Sequence, residues 1–121
     1  MSLVSLVECL GGSIPQRPPE NASPAHKMAF ACDRNIALIA SGKATRWCRP
    51  SRNGDFIVTA YYGSWRFWPE GLPASDTQAV RLPSKAAAIC YLETLRDQVL
   101  EGKHRGALAI LELKHRDRLA A

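Results

Sequence analysis

The chain has 121 residues, a formal net charge of +5 and a sequence pI near 9.3. Its length suits one domain, and its 46% hydrophobic and 22% charged residues are typical of a globular protein, which excludes a membrane-spanning or low-complexity chain. The basic balance favours acidic partners: nucleic acid, an anionic membrane surface or an acidic protein.

The start of the chain differs in composition from the rest. Residues 1–10 alternate weakly and fit either a short strand or a helical turn, whereas residues 11–24 hold two glycines and four prolines, which oppose regular structure. We therefore predict an N-terminal segment with a Pro-rich connector over residues 1–24 and a single compact α+β domain over residues 25–121. The apolar run at residues 1–10 is too short for a membrane span and lacks the basic start of a signal peptide, so a cytoplasmic protein without membrane contact is expected.

A helix is predicted after the connector. Ser23 stands at the N-cap position and Pro24 at the first helical position, a combination typical of a helix start. Apolar residues follow at near-helical intervals, and Gly42 suits a C-terminal cap. The alternative is a strand over residues 35–40. The apolar residues of the predicted helix are Met28, Cys32, Ile36 and Ile39.

Residues 56–62 alternate with the period of two that is typical of a strand, and Gly63-Ser64 predicts a two-residue type II′ turn after it. The turn sets the register of a hairpin, and the alternation separates a core-facing set of side chains from an outward set. The predicted pairs are Tyr62 with Trp65, Tyr61 with Arg66, Ala60 with Phe67, and Thr59 with Trp68. The core-facing set is Phe56, Val58, Ala60, Tyr62, Trp65 and Phe67, and the outward set is Ile57, Thr59, Tyr61, Arg66 and Trp68.

An earlier strand, over residues 43–49, is expected to pair with the strand that begins at Phe56. In the preferred register Trp47 opposes Phe56 and joins the core, because tryptophan gains more from burial than arginine does. Arg46 then lies beside Ile57. A slip of one residue would exchange the two faces.

Residues 69–83 hold three prolines and Gly71, and they predict a loop. Ser84 then caps a helix from Lys85 to about Glu101, which packs on the sheet. Residues 107–113 form either a further helix or an edge strand. Together the elements predict an α+β fold with a three-stranded antiparallel sheet packed on one face by helices. The apolar stripe of the 85–101 helix is Ala88, Leu92, Leu95 and Val99, widened by Ile89, with Gly102 at its end.

The cysteines and histidines give no sign of a metal or catalytic site. The four cysteines form no CxxC pair, so reduced and largely buried thiols are expected, with Cys90 in the core. The three histidines are far apart in the sequence and are expected at the surface. The sequence contains no Gly-rich phosphate loop and no nucleophile elbow. It therefore predicts a protein that is not an enzyme and that binds no cofactor and no metal.

Residues 43–68 concentrate aromatic and basic side chains. They hold all three tryptophans, and five basic residues against one acidic residue, Asp55. Arginine forks suit phosphate oxygens, and an exposed aromatic ring can stack on a base. The candidate binding residues are Arg46, Arg49, Arg52, Tyr61, Arg66 and Trp68.

This set predicts a small non-enzymatic protein that binds nucleic acid, DNA rather than RNA, through a basic aromatic sheet face. One alternative is an outer sheet face on which arginines stack against aromatic rings and serve only packing and solubility. A second alternative is an adaptor or inhibitor that docks on an acidic protein, since tyrosine, tryptophan and arginine dominate such interfaces.

Residues 43–100 also resemble the arm-type DNA-binding domains of tyrosine recombinases. The likeness lies in three short strands, a loop and a helix that opens with LPSKAAA at residues 82–88. Leu82 stands where that family usually has an aromatic residue, and the loop at residues 69–83 is long. In that family the sheet enters the DNA groove, so the resemblance implies that Arg46, Arg66 and the loop at residues 49–52 contact DNA.

Overall fold

The computed structural model describes residues 22–43 and 45–120. Within these residues it has three helices and five short strands, joined by loops. All strand pairs are antiparallel, which confirms the predicted α+β class. Residues 1–21, most of the predicted N-terminal segment, lie outside the described residues. The elements are α1 (Pro24–Ala40), β1 (Cys48–Pro50), β2 (Phe56–Val58), β3 (Ala60–Tyr62), β4 (Trp65–Phe67), β5 (Val80–Leu82), α2 (Lys85–Leu100) and α3 (Arg105–Ala120).

The start and stripe of α1 follow the sequence prediction. Ser23 caps the helix because its hydroxyl oxygen accepts the backbone N–H of His26 at 3.3 Å. Gly42 follows the C-cap residue with a φ of +76°, a left-handed conformation that costs glycine little. The predicted apolar stripe is buried, and the alternative of a strand over residues 35–40 is wrong.

The predicted hairpin is confirmed in its register. Tyr62 pairs with Trp65, and Tyr61 with Arg66. Gly63 has a φ of +62°, as the first central position of a type II′ turn requires, so the turn fixes the pairing locally. The last predicted pair, Thr59 with Trp68, lies beyond the ladder.

The segment 56–62 does not form one continuous strand. It divides at Thr59, so that β2 is the central strand of the sheet β1-β2-β5, whereas β3 and β4 form a separate two-stranded sheet. The third strand of the larger sheet is β5, which lies in the segment predicted as a loop. The sequence did not reveal β5 because it has only three residues, and its partner β2 lies more than twenty residues earlier in the chain.

The predicted register of the first strand is wrong by three residues. Pro50, rather than Trp47, opposes Phe56. The intervening loop is tighter than expected, because the backbone N–H of Ser51 donates to the carbonyl oxygen of Asp55 at 2.8 Å. Trp47 nevertheless joins the core, at 7% exposure, because it lies in a bend before β1 where Thr45 Oγ1 accepts its N–H at 3.1 Å.

Helix α2 has the predicted cap and buried stripe, and α3 is a helix rather than an edge strand. The N–H of Ala87 donates to Ser84 Oγ at 3.1 Å. Helices α1 and α2 pack against each other, whereas α3 packs on the β3–β4 hairpin and on α1. The inner side chains of both sheets are enclosed by these helices. The stripe residues Ala88, Leu92, Leu95 and Val99 are at most 2% exposed.

Glu112 of α3 ties three elements together. It accepts a hydrogen bond from the hydroxyl of Tyr62 on β3, and its other carboxylate oxygen lies 3.9 Å from Lys27 Nζ of α1 and 3.2 Å from Arg116 Nε. The Tyr62 hydroxyl is the main cause of a lowered pKa for Glu112, to which the two cations add. This hub holds the hairpin against the helices.

Two of the cysteines are buried as expected, but Cys90 is exposed, and its prediction as a core residue is wrong. The alanines next to Cys90 fit either the buried or the exposed side of α2, so they do not place this cysteine. In the structure the side of α2 that carries Leu92 packs inward, and Cys90 lies on the exposed side. Burial raises the pKa of Cys32 to about 12 and also raises the pKa of Cys48. Cys9 lies outside the described residues.

The buried stripe of α2 generates a stability prediction. Leu92→Ala should lower the free energy of unfolding by roughly 2–5 kcal/mol, because it leaves a cavity in a core position that is 0% exposed. Glu93→Ala, on the exposed side of the same helix, is the control and should change it by less than about 0.5 kcal/mol. Urea denaturation measures both values, and equal losses would contradict the assignment of the buried face.

Thiol accessibility gives a second prediction. A maleimide should label Cys90 in the folded protein, whereas Cys32 and Cys48 should remain unlabelled until urea exposes them, because the buried thiols lack both access and thiolate character. Peptide mapping by mass spectrometry after timed labelling reports each cysteine separately. Labelling of Cys32 at the rate of Cys90 would contradict the packing of α1.

Candidate functional site

Tyr61 stands at the centre of the outer sheet face. Its ring is half-buried, and the guanidinium carbon of Arg46 lies 3.9 Å from the ring centroid in a cation–π contact. The Trp47 ring lies beside it, with centroids 6.5 Å apart and planes inclined by 51°. A ring that is partly buried against the core and an exposed planar cation are thus held together.

The strand registers bring arginines from distant parts of the chain next to this ring. Ile57 of β2 is flanked by Arg49 of β1 and by Arg81 of β5, whereas Tyr61 of β3 is paired with Arg66 of β4. Because directly paired residues project to the same face, both rows point outward. They border a cavity of about 390 Å³, which we call the sheet cavity. Its walls are Arg49, Ile57, Thr59, Tyr61, Arg66, Asp76, Thr77, Ala79 and Arg81.

A second cavity, of about 440 Å³, is lined by residues of α1, of the segment before β1 and of the hairpin. We call it the helix cavity. Its polar groups include Arg34 and Asn35 of α1, and the Asn35 amide is fixed by donating to the carbonyl oxygen of Ala31 at 2.9 Å. Tyr61 lines both cavities. The walls of the helix cavity are Ala31, Arg34, Asn35, Leu38, Thr45, Arg46, Trp47, Tyr61 and Gly63.

Three of the arginines beside these cavities have no carboxylate partner among the residues that the structure describes. Within residues 22–43 and 45–120, no carboxylate lies within salt-bridge distance of Arg46, Arg49 or Arg66. Arg81 differs, because its Nη1 lies 3.2 Å from a carboxylate oxygen of Asp55. The hydroxyl of Ser51 and then Arg81 hold the pKa of Asp55 below its usual range.

The structure brings four of the six predicted site residues together and leaves two apart. Arg46, Arg49, Tyr61 and Arg66 meet around the two cavities, and we call these four the arginine–tyrosine groove. Arg52 is exposed in the loop after β1 and lines neither cavity. Trp68 lines neither cavity because its indole N–H donates to the carbonyl oxygen of Pro73 at 3.1 Å, which ties it to the following loop.

Sequence reasoning missed Arg81 and Arg34. Arg81 lies in the segment that was predicted as a loop, and only the pairing of β5 with β2 brings it to the sheet cavity. Arg34 lies on α1, whose apolar stripe indicated nothing beyond core packing. The sequence carries no local signal for either position, because both are brought close by tertiary contacts.

His104 forms a second polar cluster, and its prediction as a surface residue is wrong. The ring is buried, its Nδ1 accepts the backbone N–H of Glu70 at 2.9 Å, and Nε2 lies 2.8 Å from the side-chain oxygen of Gln98. Because Nδ1 accepts, the proton belongs on Nε2, which donates to Gln98. This arrangement fixes the loop after β4 to the start of α3.

Comparison with protein-family models, with curated proteins and with solved structures gives no match to this chain. The likeness to recombinase domains therefore stays a prediction. In residues 22–43 and 45–120, no group of three or more His, Cys, Asp or Glu side chains is placed to hold a metal ion. In the same described ranges, no helix combines the length and apolar content needed to cross a membrane.

The buried neutral His104 predicts a pH dependence of stability. Desolvation lowers its pKa below the usual 6.5, so the unfolded chain binds a proton that the folded ring resists. The stabilising contribution is therefore complete above pH 6.5 and is lost as the pH falls from there through the lowered pKa. His104→Asn, which tolerates the φ of +64° at this position, should remove this part of the dependence.

Urea denaturation at pH values of about 7.5 and about 5 tests this. The difference in unfolding free energy between the wild type and His104→Asn should narrow at the lower pH. The same comparison with Glu93→Ala serves as the control, since that side chain lies on the exposed side of α2. A difference that stays constant with pH would contradict a buried neutral imidazole.

Proposed function

We propose that this protein is a non-enzymatic nucleic-acid-binding protein that uses the arginine–tyrosine groove, with DNA as its preferred ligand. The observation that carries the proposal is the convergence of Arg46, Arg49 and Arg66, without carboxylate partners in the described part of the chain, on the half-buried ring of Tyr61. Guanidinium groups bind phosphate oxygens through paired N–H donors, and aromatic rings stack on bases.

The overall charge supports the same ligand. A net charge of +5 attracts a polyanion over long distances and raises its association rate. Among the described residues, Asp76 is the one acidic side chain in the walls of the sheet cavity, against three arginines, so the local potential has the same sign as the whole chain. Neutralising phosphates with these arginines would release counterions, which makes binding strongly dependent on salt.

The preference for DNA over RNA rests on the resemblance to the recombinase arm-type domains. The third strand of that resemblance, at residues 65–67, pairs with β3 in a separate two-stranded sheet, so the fold adds no support to it. The order of strands within the sheet supplies no further argument, since β3 and β4 are inserted between β2 and β5.

A protein-binding adaptor or inhibitor is the second candidate function. Ile110 and Leu113, three residues apart on α3, are 59% and 60% exposed, and apolar side chains of this size suit a protein partner. Complexes with a protein partner should weaken only mildly with salt, whereas phosphate binding weakens steeply. Salt dependence therefore separates the two candidates.

The double variant Arg46→Ala/Arg66→Ala tests the proposed function. It should weaken oligonucleotide binding and reduce the slope of log affinity against log salt by about one unit for each phosphate that is no longer neutralised. Fluorescence anisotropy with labelled oligonucleotides between about 50 and 200 mM salt measures both quantities. The fold should survive, because exposed arginines contribute little to stability.

Lys85→Ala/Lys103→Ala is the matched control, since it removes the same charge from exposed positions that line neither cavity. Its salt slope should stay closer to that of the wild type. If the wild type binds no oligonucleotide even at low salt, the nucleic-acid function is wrong and the adaptor function takes its place. An equally large decrease in affinity for both variants would mean that the arginine–tyrosine groove is not the site.

A further inference from the structure

Tyr61 belongs to the walls of both the sheet cavity and the helix cavity. From this placement we infer that the ligand of the groove is a single strand of nucleic acid, which crosses Tyr61 from the sheet cavity to the helix cavity with an unpaired base stacked at the crossing. The inference rests on the proposed nucleic-acid function and specifies the form of ligand that the site accepts. It does not rest on the resemblance to recombinase domains, in which the sheet enters the groove of duplex DNA.

The aromatic ring at the crossing is half-buried rather than fully exposed. The ring of Tyr61 is half-buried, Arg46 lies against it, and Trp47, at 7% exposure, flanks it. In a duplex the faces of each base are covered by neighbouring base pairs, and only base edges and the backbone are accessible from outside. An unpaired base can leave the stack and place its face against such a ring without the cost of breaking a base pair.

The shape of the cavities also favours a single strand over a duplex. Proteins that read duplex DNA insert a protruding helix or two-stranded ribbon into the major groove. Here the inner face of the β3–β4 ribbon packs against α3, and its outer face is bounded by the segment around Asp76 and by α1. Both cavities are partly open to solvent, and their volumes of about 390 and 440 Å³ fall in the range of small-ligand sites. They suit individual nucleotides better than the side of a rigid duplex.

Positively charged arginines lie in the walls of both cavities, along the proposed path of the strand. The sheet cavity is bordered by Arg49, Arg66 and Arg81, and the helix cavity by Arg34 and Arg46. A strand that follows both cavities therefore meets guanidinium groups before and after the crossing. The guanidinium of Arg46 already lies over one face of the Tyr61 ring, at 3.9 Å from the centroid, and offers its own plane for stacking, since bases stack on arginine planes as well as on aromatic rings.

Anisotropy with one labelled strand of about 12 nucleotides, used alone and as its duplex, tests the inference on the wild-type protein. We expect the single strand to bind at least about tenfold more tightly than the duplex at equal salt. Tyr61→Leu should weaken single-strand binding by about 5- to 150-fold, the usual effect of removing the stacking partner of one base, and should change duplex binding much less.

Two further variants serve as controls. Tyr61→Phe keeps the ring and should retain single-strand affinity. This measurement tests the inference even if Tyr61→Leu does not fold. Trp68→Leu removes an aromatic residue outside both cavities and should leave the affinity unchanged. A strand of RNA with the same sequence, measured in parallel, tests the preference for DNA.

Each outcome separates the inference from the function on which it rests. Duplex binding as tight as single-strand binding, with both abolished in Arg46→Ala/Arg66→Ala, overturns the single-strand inference and keeps the nucleic-acid function. Unchanged single-strand affinity in a folded Tyr61→Leu protein, or greatly weakened affinity in folded Tyr61→Phe, also overturns it. If the wild-type protein binds neither the single strand nor the duplex, the proposed nucleic-acid function is wrong.

Discussion

The alternation of side chains along residues 56–62 is the constraint on which the rest of the structure depends. Val58, Ala60 and Tyr62 are at most 5% exposed and face the helices, whereas Tyr61 between them faces the two cavities. The segment serves two sheets, because the chain leaves the first sheet at Thr59 and pairs with a different strand afterwards. A shift of register by one residue would place the core side chains in solvent and Tyr61 in the core.

The distribution of ion pairs distinguishes the outer face from the rest of the surface. Arg96 bridges Asp33 on α1 and its neighbour Asp97, at 2.8 and 3.0 Å, and Glu112 gathers partners from three elements. In contrast, no carboxylate of residues 22–43 or 45–120 lies within salt-bridge distance of the arginines of the arginine–tyrosine groove.

The sequence by itself determined the features that depend on neighbouring residues. Ser23 and Ser84 begin their helices because a serine hydroxyl accepts an N–H three residues later. The buried stripe of α2 follows from helical periodicity, and the hairpin register follows from one two-residue turn with Gly63 at its first position. In the same way Tyr61 and Arg66 could be assigned to one outward face before the structure was known.

Only the tertiary structure decided the features that depend on distant residues. The pairing of β5 with β2 brings Arg81 to the sheet cavity, and the packing of α1 beside the hairpin brings Arg34 to the helix cavity. The burial of His104 against Glu70 has the same origin. No local pattern encodes these contacts, because they form only when separately folded elements pack together. The sequence thus determined which residues face outward on the hairpin, and long-range packing decided which of them share a site.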